Sequence, residues 1–145
     1  MEFDPFDLQR FVDAQAGGVI ARAIDELRAG RKRTHWMWFV FPQLKGLGRS
    51  PTALFYGISG LEEARAYLAH PQLGPALAAA TQAATGAPAA SLNVLFGSPD
   101  DLKFVSSMTL FEKAAGGDGG IYARALDRWT DGRRDAATLA VIGQA

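Results

Sequence analysis

Residues 35–50, HWMWFVFPQLKGLGRS, decide how this chain is read. Trp36, Trp38, Phe39 and Phe41 crowd together there, between a basic run and a glycine-punctuated loop. Each such side chain removes on the order of 150–250 Å² from water when buried, so the segment lies in the core, in a ligand pocket, or in both. Its aromatic and β-branched content suits a buried strand, and its length alone does not separate strand from helix. A lone strand, however, leaves its backbone groups unpaired, and the sequence offers no evident second strand. The segment is therefore expected to be a short buried helix ending before Pro42, and the chain with it to be all-α.

Helix signals on either side agree. Asp4-Pro5 pairs a capping residue with a proline at the first helical position, where the missing N–H costs nothing. Phe6, Leu8, Phe11 and Val12 follow at mostly helical spacing. Beyond Gly17-Gly18, the residues Val19, Ile20, Ala23, Ile24 and Leu27 recur at helical intervals. Arg22, Asp25, Glu26 and Arg28 take the opposite face, and Gly30 is the stop. Ser50-Pro51 repeats the cap-and-proline pair. Ser59-Gly-Leu-Glu62 has the form of a capping box, with Leu61, Ala64 and Leu68 continuing on one face. His70-Pro71 breaks that helix, the alanine-rich stretch from Pro75 to Ala84 favours the next by propensity, and Ser91 to Phe96 gives a further turn. Ser98-Pro-Asp-Asp101 offers a cap, a proline and two carboxylates set against the helix dipole. Leu102, Val105, Met108 and Phe111 extend that helix to Ala115. Gly116 to Gly120 reads as a flexible loop, Ile121 to Trp129 is amphipathic, and Asp135 caps a last helix to Ile142. The expectation is a compact single-domain bundle of about seven or eight short helices, with no linker to divide it.

Composition narrows the function. At 145 residues, 48% hydrophobic and 21% charged, the chain matches a globular domain with a real core. Fifteen basic and fifteen acidic residues cancel, which argues against general attraction to nucleic acid or to anionic membranes. The absence of cysteine excludes disulfides, thiolate metal sites and cysteine nucleophiles, and suits a reducing cytoplasm. His35 and His70, far apart and without cysteine, do not make a structural zinc site; no metal or cofactor is expected. Met1-Glu-Phe-Asp-Pro5 lacks the basic and apolar regions of a secretory signal. The apolar run from Trp36 to Phe41 is far short of the roughly 20 residues that span a bilayer. A cytoplasmic protein is expected.

The same residues carry a resemblance over nearly the whole chain. Its strings are Asp4-Pro-Phe-Asp-Leu-Gln-Arg-Phe11, His35-Trp-Met-Trp-Phe-Val-Phe-Pro-Gln-Leu44, Gly46-Leu-Gly48, Tyr56-Gly-Ile58 and Glu63-Ala64. Tyr67-Leu68, Phe96-Gly97, Asp100-Asp-Leu-Lys103 and Ser106-Ser-Met-Thr-Leu-Phe111 continue it. In these the chain resembles a bacterial family, domain of unknown function 1810, which also carries the label calpastatin-like. The resemblance implies a compact all-helical fold and no established activity. An inhibitor of the calpastatin kind binds through flexible segments, whereas this composition predicts a packed globule.

Two constellations are candidates for a site. One is the aromatic stretch with its polar fringe, Thr34, His35, Gln43, Lys45, Arg49 and Ser50. Trp36 or Trp38 could stack on a flat ring while His35 exchanges a proton near neutral pH. Alternatively the indoles fill the core and His35 bonds a loop carbonyl. The other is the helix from Asp100, where Lys103, Ser106, Ser107 and Thr109 interrupt an otherwise apolar sequence. A helix apolar on several sides is buried, so its polar groups need partners or a cavity. Lys103, Ser106 and Ser107 share a face and could form an anion site. Small hydroxyl residues equally permit close helix packing, with Lys103 paired to Asp100 or reaching solvent. Asp101 could serve as a general acid or base, although capping and the dipole already account for Asp100 and Asp101.

Weaker signals are read against these. Glu63 and Glu112 read as solvent-facing. Arg28, Arg31, Lys32 and Arg33 form the one basic cluster, either a surface for single-stranded nucleic acid or a solvated helix end. Gly46-x-Gly48 and Gly116 to Gly120 lack the strand–loop–helix setting of a phosphate loop. Ser106-Ser-Met-Thr109 has no base near it in sequence that would make a serine hydrolase.

The expected function is therefore a pocket between residues 35–50 and the helix from Asp100. It would take a small ligand with a flat ring and an anionic group, such as a nucleotide or a phosphorylated metabolite. Trp36 or Trp38 would stack on the ring. Gln43, Arg49, Ser50, Lys103, Ser106 and Ser107 would hold the polar and anionic parts, and in an enzyme His35 or Asp101 would move protons. Leu73-Gly-Pro-Ala-Leu77 and Phe96-Gly97 are faintly similar to patterns in helical ADP-ribose-processing glycosidases, a narrower version of the same idea. The rival reading is a non-catalytic interaction module, including a homo-oligomer, whose aromatics are core and whose serines are packing; an exposed apolar patch would favour it.

Overall fold

The aromatic segment makes a single helical turn, as its missing strand partner requires. In the computed structural model, which describes residues 3–143, the N–H groups of Val40 and Phe41 donate to the carbonyls of Trp36 (3.0 Å) and Met37 (3.2 Å). Ten helices and no strand occur among the described residues. They are α1 (Gln9–Ala14), α2 (Val19–Arg28), α3 (Met37–Val40), α4 (Pro51–Phe55) and α5 (Leu61–Ala69), then α6 (Leu73–Thr85), α7 (Leu92–Phe96), α8 (Asp100–Ala115), α9 (Gly120–Thr130) and α10 (Ala136–Val141). The fold is all-α, with these ten helices where about seven or eight are expected; α3, α4 and α7 are single turns. An isolated parallel bridge joins Leu44 and Ile58 and ties the chain after α3 to the chain after α4.

The buried helix α8 organises the core. It packs against α5, α7, α9 and α10, while α6 lies on α2, α5 and α9. Phe104, Met108, Leu110 and Phe111 on α8 are fully buried, and so are Trp36 and Phe41 from the aromatic segment. Trp36, Phe41, Phe96 and Phe104 form one cluster, with Phe41 edge-on to Phe104 at 5.0 Å and Phe96 stacked on Phe104 at 4.8 Å. Phe11, Tyr67 and Phe111 form a second aromatic group in the core. Offset and edge-on pairs of this kind add about 0.5–1.5 kcal/mol each beyond the area they bury.

Capping partly follows the sequence. Ser50 Oγ accepts from Ala53 N–H at 3.1 Å, Ser91 Oγ from Val94 N–H at 3.1 Å, and Asp135 Oδ2 from Thr138 N–H at 2.9 Å. Elsewhere the register differs. The Asp4 carboxylate takes the N–H groups of Leu8 (2.8 Å) and Gln9 (3.0 Å), so a turn with Asp7 at φ 53° precedes α1. Glu63, not Glu62, reaches back to Ser59 N–H at 2.9 Å, because α5 begins after Gly60 rather than after Ser59. Ser98 caps nothing: Pro99 stands immediately before α8 and the Asp101 N–H goes to the Gly97 carbonyl at 2.8 Å. His70 does more than break a helix. Its Nδ1 accepts from the N–H groups of Gln72 (3.1 Å) and Leu73 (3.2 Å) and caps α6.

Three carboxylates expected at the surface turn inward instead. Glu26 accepts from Arg33 N–H (2.6 Å), Thr34 N–H (3.0 Å), Thr34 Oγ1 (2.6 Å) and Trp36 Nε1 (3.0 Å). Glu63 pairs with Arg10 at 2.9 Å, with both side chains almost wholly buried. Glu112 pairs with Arg134. Each is an anchor that fixes a loop with no regular structure of its own. Arg10 also donates to the carbonyls of Phe55 (2.8 Å) and Gly57 (2.9 Å), which holds the turn after α4 in place.

Candidate functional site

The chain after α3 runs along the first turns of α8 and leaves a hollow of about 470 Å³, within the range of roughly 300–1,000 Å³ typical of ligand pockets. Gln43, Leu47, Arg49, Ser50 and Ala53 line it from the first segment, and Pro99, Leu102, Lys103 and Ser106 from the α8 region. Asp135 and Ala137 contribute from the start of α10. A narrow cleft between Trp38, Tyr56 and Lys103 adjoins it, sharing Gln43, Ala53 and Lys103 with the hollow. Its free volume of about 10 Å³ is that of a single water. Two glycines permit these walls. A Cβ on Gly48 would stand 2.7 Å from the Ala53 Cβ, and one on Gly57 would stand 2.6 Å from the Lys45 Cα.

Lys103 lies where hollow and cleft meet. Its ammonium is 5.3 Å from the centre of the Trp38 ring and 3.6 Å from Asp100 Oδ1. Asp100 Oδ2 makes the closer contact, 2.9 Å, with Lys32, whose ammonium lies 5.1 Å from the Trp36 ring. Two lysines thus share one carboxylate, each over its own indole, and the trio carries a net positive charge. The backbone at the start of α8 is not the anion site: Asp101, Leu102 and Lys103 donate their N–H groups to the carbonyls of Gly97 and Pro99.

The structure brings together Gln43, Arg49, Ser50, Lys103 and Ser106 around the hollow, with Trp38 at its edge. Other residues fall elsewhere. Trp36 is buried, with 2% of its surface exposed, and its N–H is taken by Glu26, so this indole is a core group with no face for a ligand. Ser107 is fully buried beneath the surface of α8, and its hydroxyl has no partner among the described residues. Ser106 and Thr109 donate back to the carbonyls of Leu102 (3.2 Å) and Val105 (2.8 Å) within the helix. His35 is exposed and does not line the hollow. Asp101 does not line it either; its carboxylate accepts from Leu102 N–H (2.9 Å) and Asn93 Nδ2 (3.3 Å). The basic cluster is also broken up, because Lys32 turns inward to Asp100 while Arg28, Arg31 and Arg33 stay exposed.

Sequence reading missed Tyr56 and Asp135 as site residues. The sequence marks Asp135 only as a cap, and its Oδ2 does take both the N–H and the hydroxyl of Thr138. Only the packing of α10 on α8 brings it to the hollow.

With the site in view, comparison with known proteins places the chain. Residues 5–142 match the family described as protein of unknown function (DUF1810). The chain belongs to this family. This DUF1810 chain is similar to the crystal structure of the conserved hypothetical protein Rv1873 from Mycobacterium tuberculosis. That protein is 52% identical, with a TM-score of 0.92 over 97% of this chain and 99% of that one. No curated protein matches the DUF1810 chain. Among its described residues no helix is long and apolar enough to cross a membrane. No cluster of three or more His, Asp or Glu side chains among them is placed to hold a metal ion.

Proposed function

We propose that this DUF1810 protein binds a small anionic ligand with a flat ring, of the nucleotide or phosphorylated-metabolite class, in the hollow between residues 43–53 and α8. One observation carries the reading: the Lys103 ammonium stands over the Trp38 ring at the junction of hollow and cleft. Around it are hydrogen-bond donors without a protein acceptor among the described residues. Trp36 and Trp129 each give their N–H to an internal acceptor, but among the described residues Trp38 has none. Arg49 takes part in no ion pair among those residues. A rim rich in donors is complementary to a ligand rich in acceptors, such as a phosphate or carboxylate. Asp135 is the exception; Thr138 occupies its Oδ2 and leaves Oδ1 to accept from a ligand hydroxyl. The reading is one of binding, because neither His35 nor Asp101 reaches the hollow.

A second reading has its own support. Leu54 and Phe55 on α4 are 43% and 57% exposed, beside the hollow, and such a face suits contact with another protein chain. It predicts a dimer in solution that Phe55→Ser dissociates.

A thermal-shift screen against nucleotides and phosphorylated metabolites tests the ligand reading. A compound at a hundred times its Kd adds about 2.7 kcal/mol, which raises the melting temperature of a chain this size by about 5–10 °C. The shift should vanish in Lys103→Met and Trp38→Leu, whose circular dichroism should match the wild type. A hit that persists in both variants moves the site elsewhere, and a screen without hits contradicts the reading.

A further inference from the structure

Resting on that reading, we propose that Lys103 is an exchangeable anion receptor: an incoming anion displaces Asp100 from it, while Lys32, outside the hollow, keeps Asp100 neutralised. The geometry of the shared carboxylate points this way. Charge-assisted N–H···O bonds are about 2.7–2.9 Å long. Asp100 meets Lys32 at 2.9 Å and Lys103 only at 3.6 Å. Lys32 is the fixed partner. Its side chain is 8% exposed, its ammonium lies against the Trp36 ring, and its backbone N–H is held by the Leu95 carbonyl at 2.7 Å. Lys103 is the loose partner, 22% exposed and facing the hollow. An anion entering the hollow takes Lys103 without stranding Asp100, because Lys32 remains bonded to it. Lys32 is therefore a positioning residue for a site it does not touch.

Removal of Lys32 leaves Asp100 with Lys103 as its only cation among the described residues. The carboxylate then closes on Lys103 and competes with the ligand. Removal of the Asp100 charge does the opposite, leaving Lys103 unopposed. A purely structural role for the trio would make both substitutions weaken binding. The exchange makes them act in opposite directions, and because Lys32 acts through the Asp100 carboxylate, loss of that charge makes Lys32→Met silent.

Inorganic phosphate is the probe, titrated by isothermal calorimetry, with acetic anhydride labelling of Lys103 read by mass spectrometry as a measurement that needs no ligand. Lys32→Met should weaken phosphate binding and slow Lys103 acetylation, each roughly fivefold, the upper scale of a partly exposed ion pair. Asp100→Asn should strengthen binding and speed acetylation by a similar factor, and the double variant should behave like Asp100→Asn, whereas a mere sum of charges would return it to the wild type. Arg31→Met, which removes the same charge from an exposed position in the same loop, should change neither. In the wild type, phosphate should protect Lys103 from acetylation. If Lys32→Met fails to fold, Asp100→Asn decides alone, and unchanged or weaker binding there overturns the exchange. If phosphate binds, and Lys103→Met abolishes it, but Lys32→Met has no effect, the exchange is overturned while the site stands. If phosphate neither binds nor protects Lys103 in the wild type, the anion site falls and the exchange with it.

Discussion

Glu26→Ala should be among the most damaging single changes outside the apolar core. The carboxylate is 8% exposed and accepts four hydrogen bonds from the segment 33–36. Three of the donors, on Arg33 and Thr34, lie on exposed residues and can turn to water. The fourth, the Trp36 indole N–H, belongs to a side chain only 2% exposed and has no alternative. A buried donor left unpaired costs about 1–3 kcal/mol, and each bond exchanged for water loses about 0.5 kcal/mol or more. The expected loss is therefore about 3 kcal/mol, or roughly 6–12 °C in melting temperature for a chain of this size. Urea unfolding followed by tryptophan emission measures it, with an unchanged m-value showing that the folded state stays compact. The acid limb adds a second readout. Burial pushes the Glu26 carboxyl up, but bonds from Thr34, Arg33 and Trp36 outweigh it and hold the group below its ordinary value. Its contribution is complete above the unfolded carboxyl pKa of about 4.3 and is lost as pH falls from there through the lower folded value. Glu26→Gln should therefore flatten the fall in stability below about pH 4.3. A Glu26→Ala loss under about 1 kcal/mol would refute the claim that this carboxylate anchors the aromatic turn.

Two further substitutions test the framework around the site. Arg10→Met strands the buried Glu63 carboxylate and frees the carbonyls of Phe55 and Gly57; breaking a buried pair costs about 3–5 kcal/mol, read by the same urea titration. Adding Glu63→Gln should recover part of that loss. Gly30→Ala places a methyl group 2.8 Å from the Pro88 carbonyl oxygen at a backbone φ of 88°, whereas Gly17→Ala, at φ 76°, meets nothing within 4 Å. The left-handed backbone alone costs about 1–2 kcal/mol, so Gly17→Ala should lose about that much and Gly30→Ala distinctly more. Equal melting temperatures for the two would remove the steric argument.

The helical reading of residues 35–41 was legible because a strand needs a partner and none was evident. The choice between Trp36 and Trp38 was not legible. Side chains two residues apart on a helix, at about 100° per residue, diverge by about 200°, and here Trp36 stands just before the turn as its N-cap. Only one of the two can therefore face the core, and the sequence does not say which. The polar groups around the hollow were legible one by one, since Gln43, Arg49 and Ser50 flank the aromatics and Lys103 and Ser106 share a helical face. The contact of Asp100 with Lys103 follows from i, i+3 spacing. Its tighter contact with Lys32 joins residues far apart in the chain and leaves no local trace. Glu26 was misread for a related reason. It lies on the polar side of an amphipathic helix, but half of its donors are backbone N–H groups of a loop whose path only the folded chain defines. The Trp36 indole was the one available hint, because a buried tryptophan N–H needs an acceptor.

The central claim is that Lys103 and Trp38 together receive a ring-bearing anion. The most direct measurement is a titration of ¹⁵N-labelled protein with adenosine 5′-monophosphate, followed by chemical shifts of backbone amides and indole N–H groups. The account predicts saturable shifts at the Trp38 indole and at the amides of Gln43, Arg49, Lys103 and Ser106, with the Trp36 and Trp129 indoles unmoved. Shifts centred instead on Arg28, Arg31 and Arg33, or no shifts at all, would contradict it.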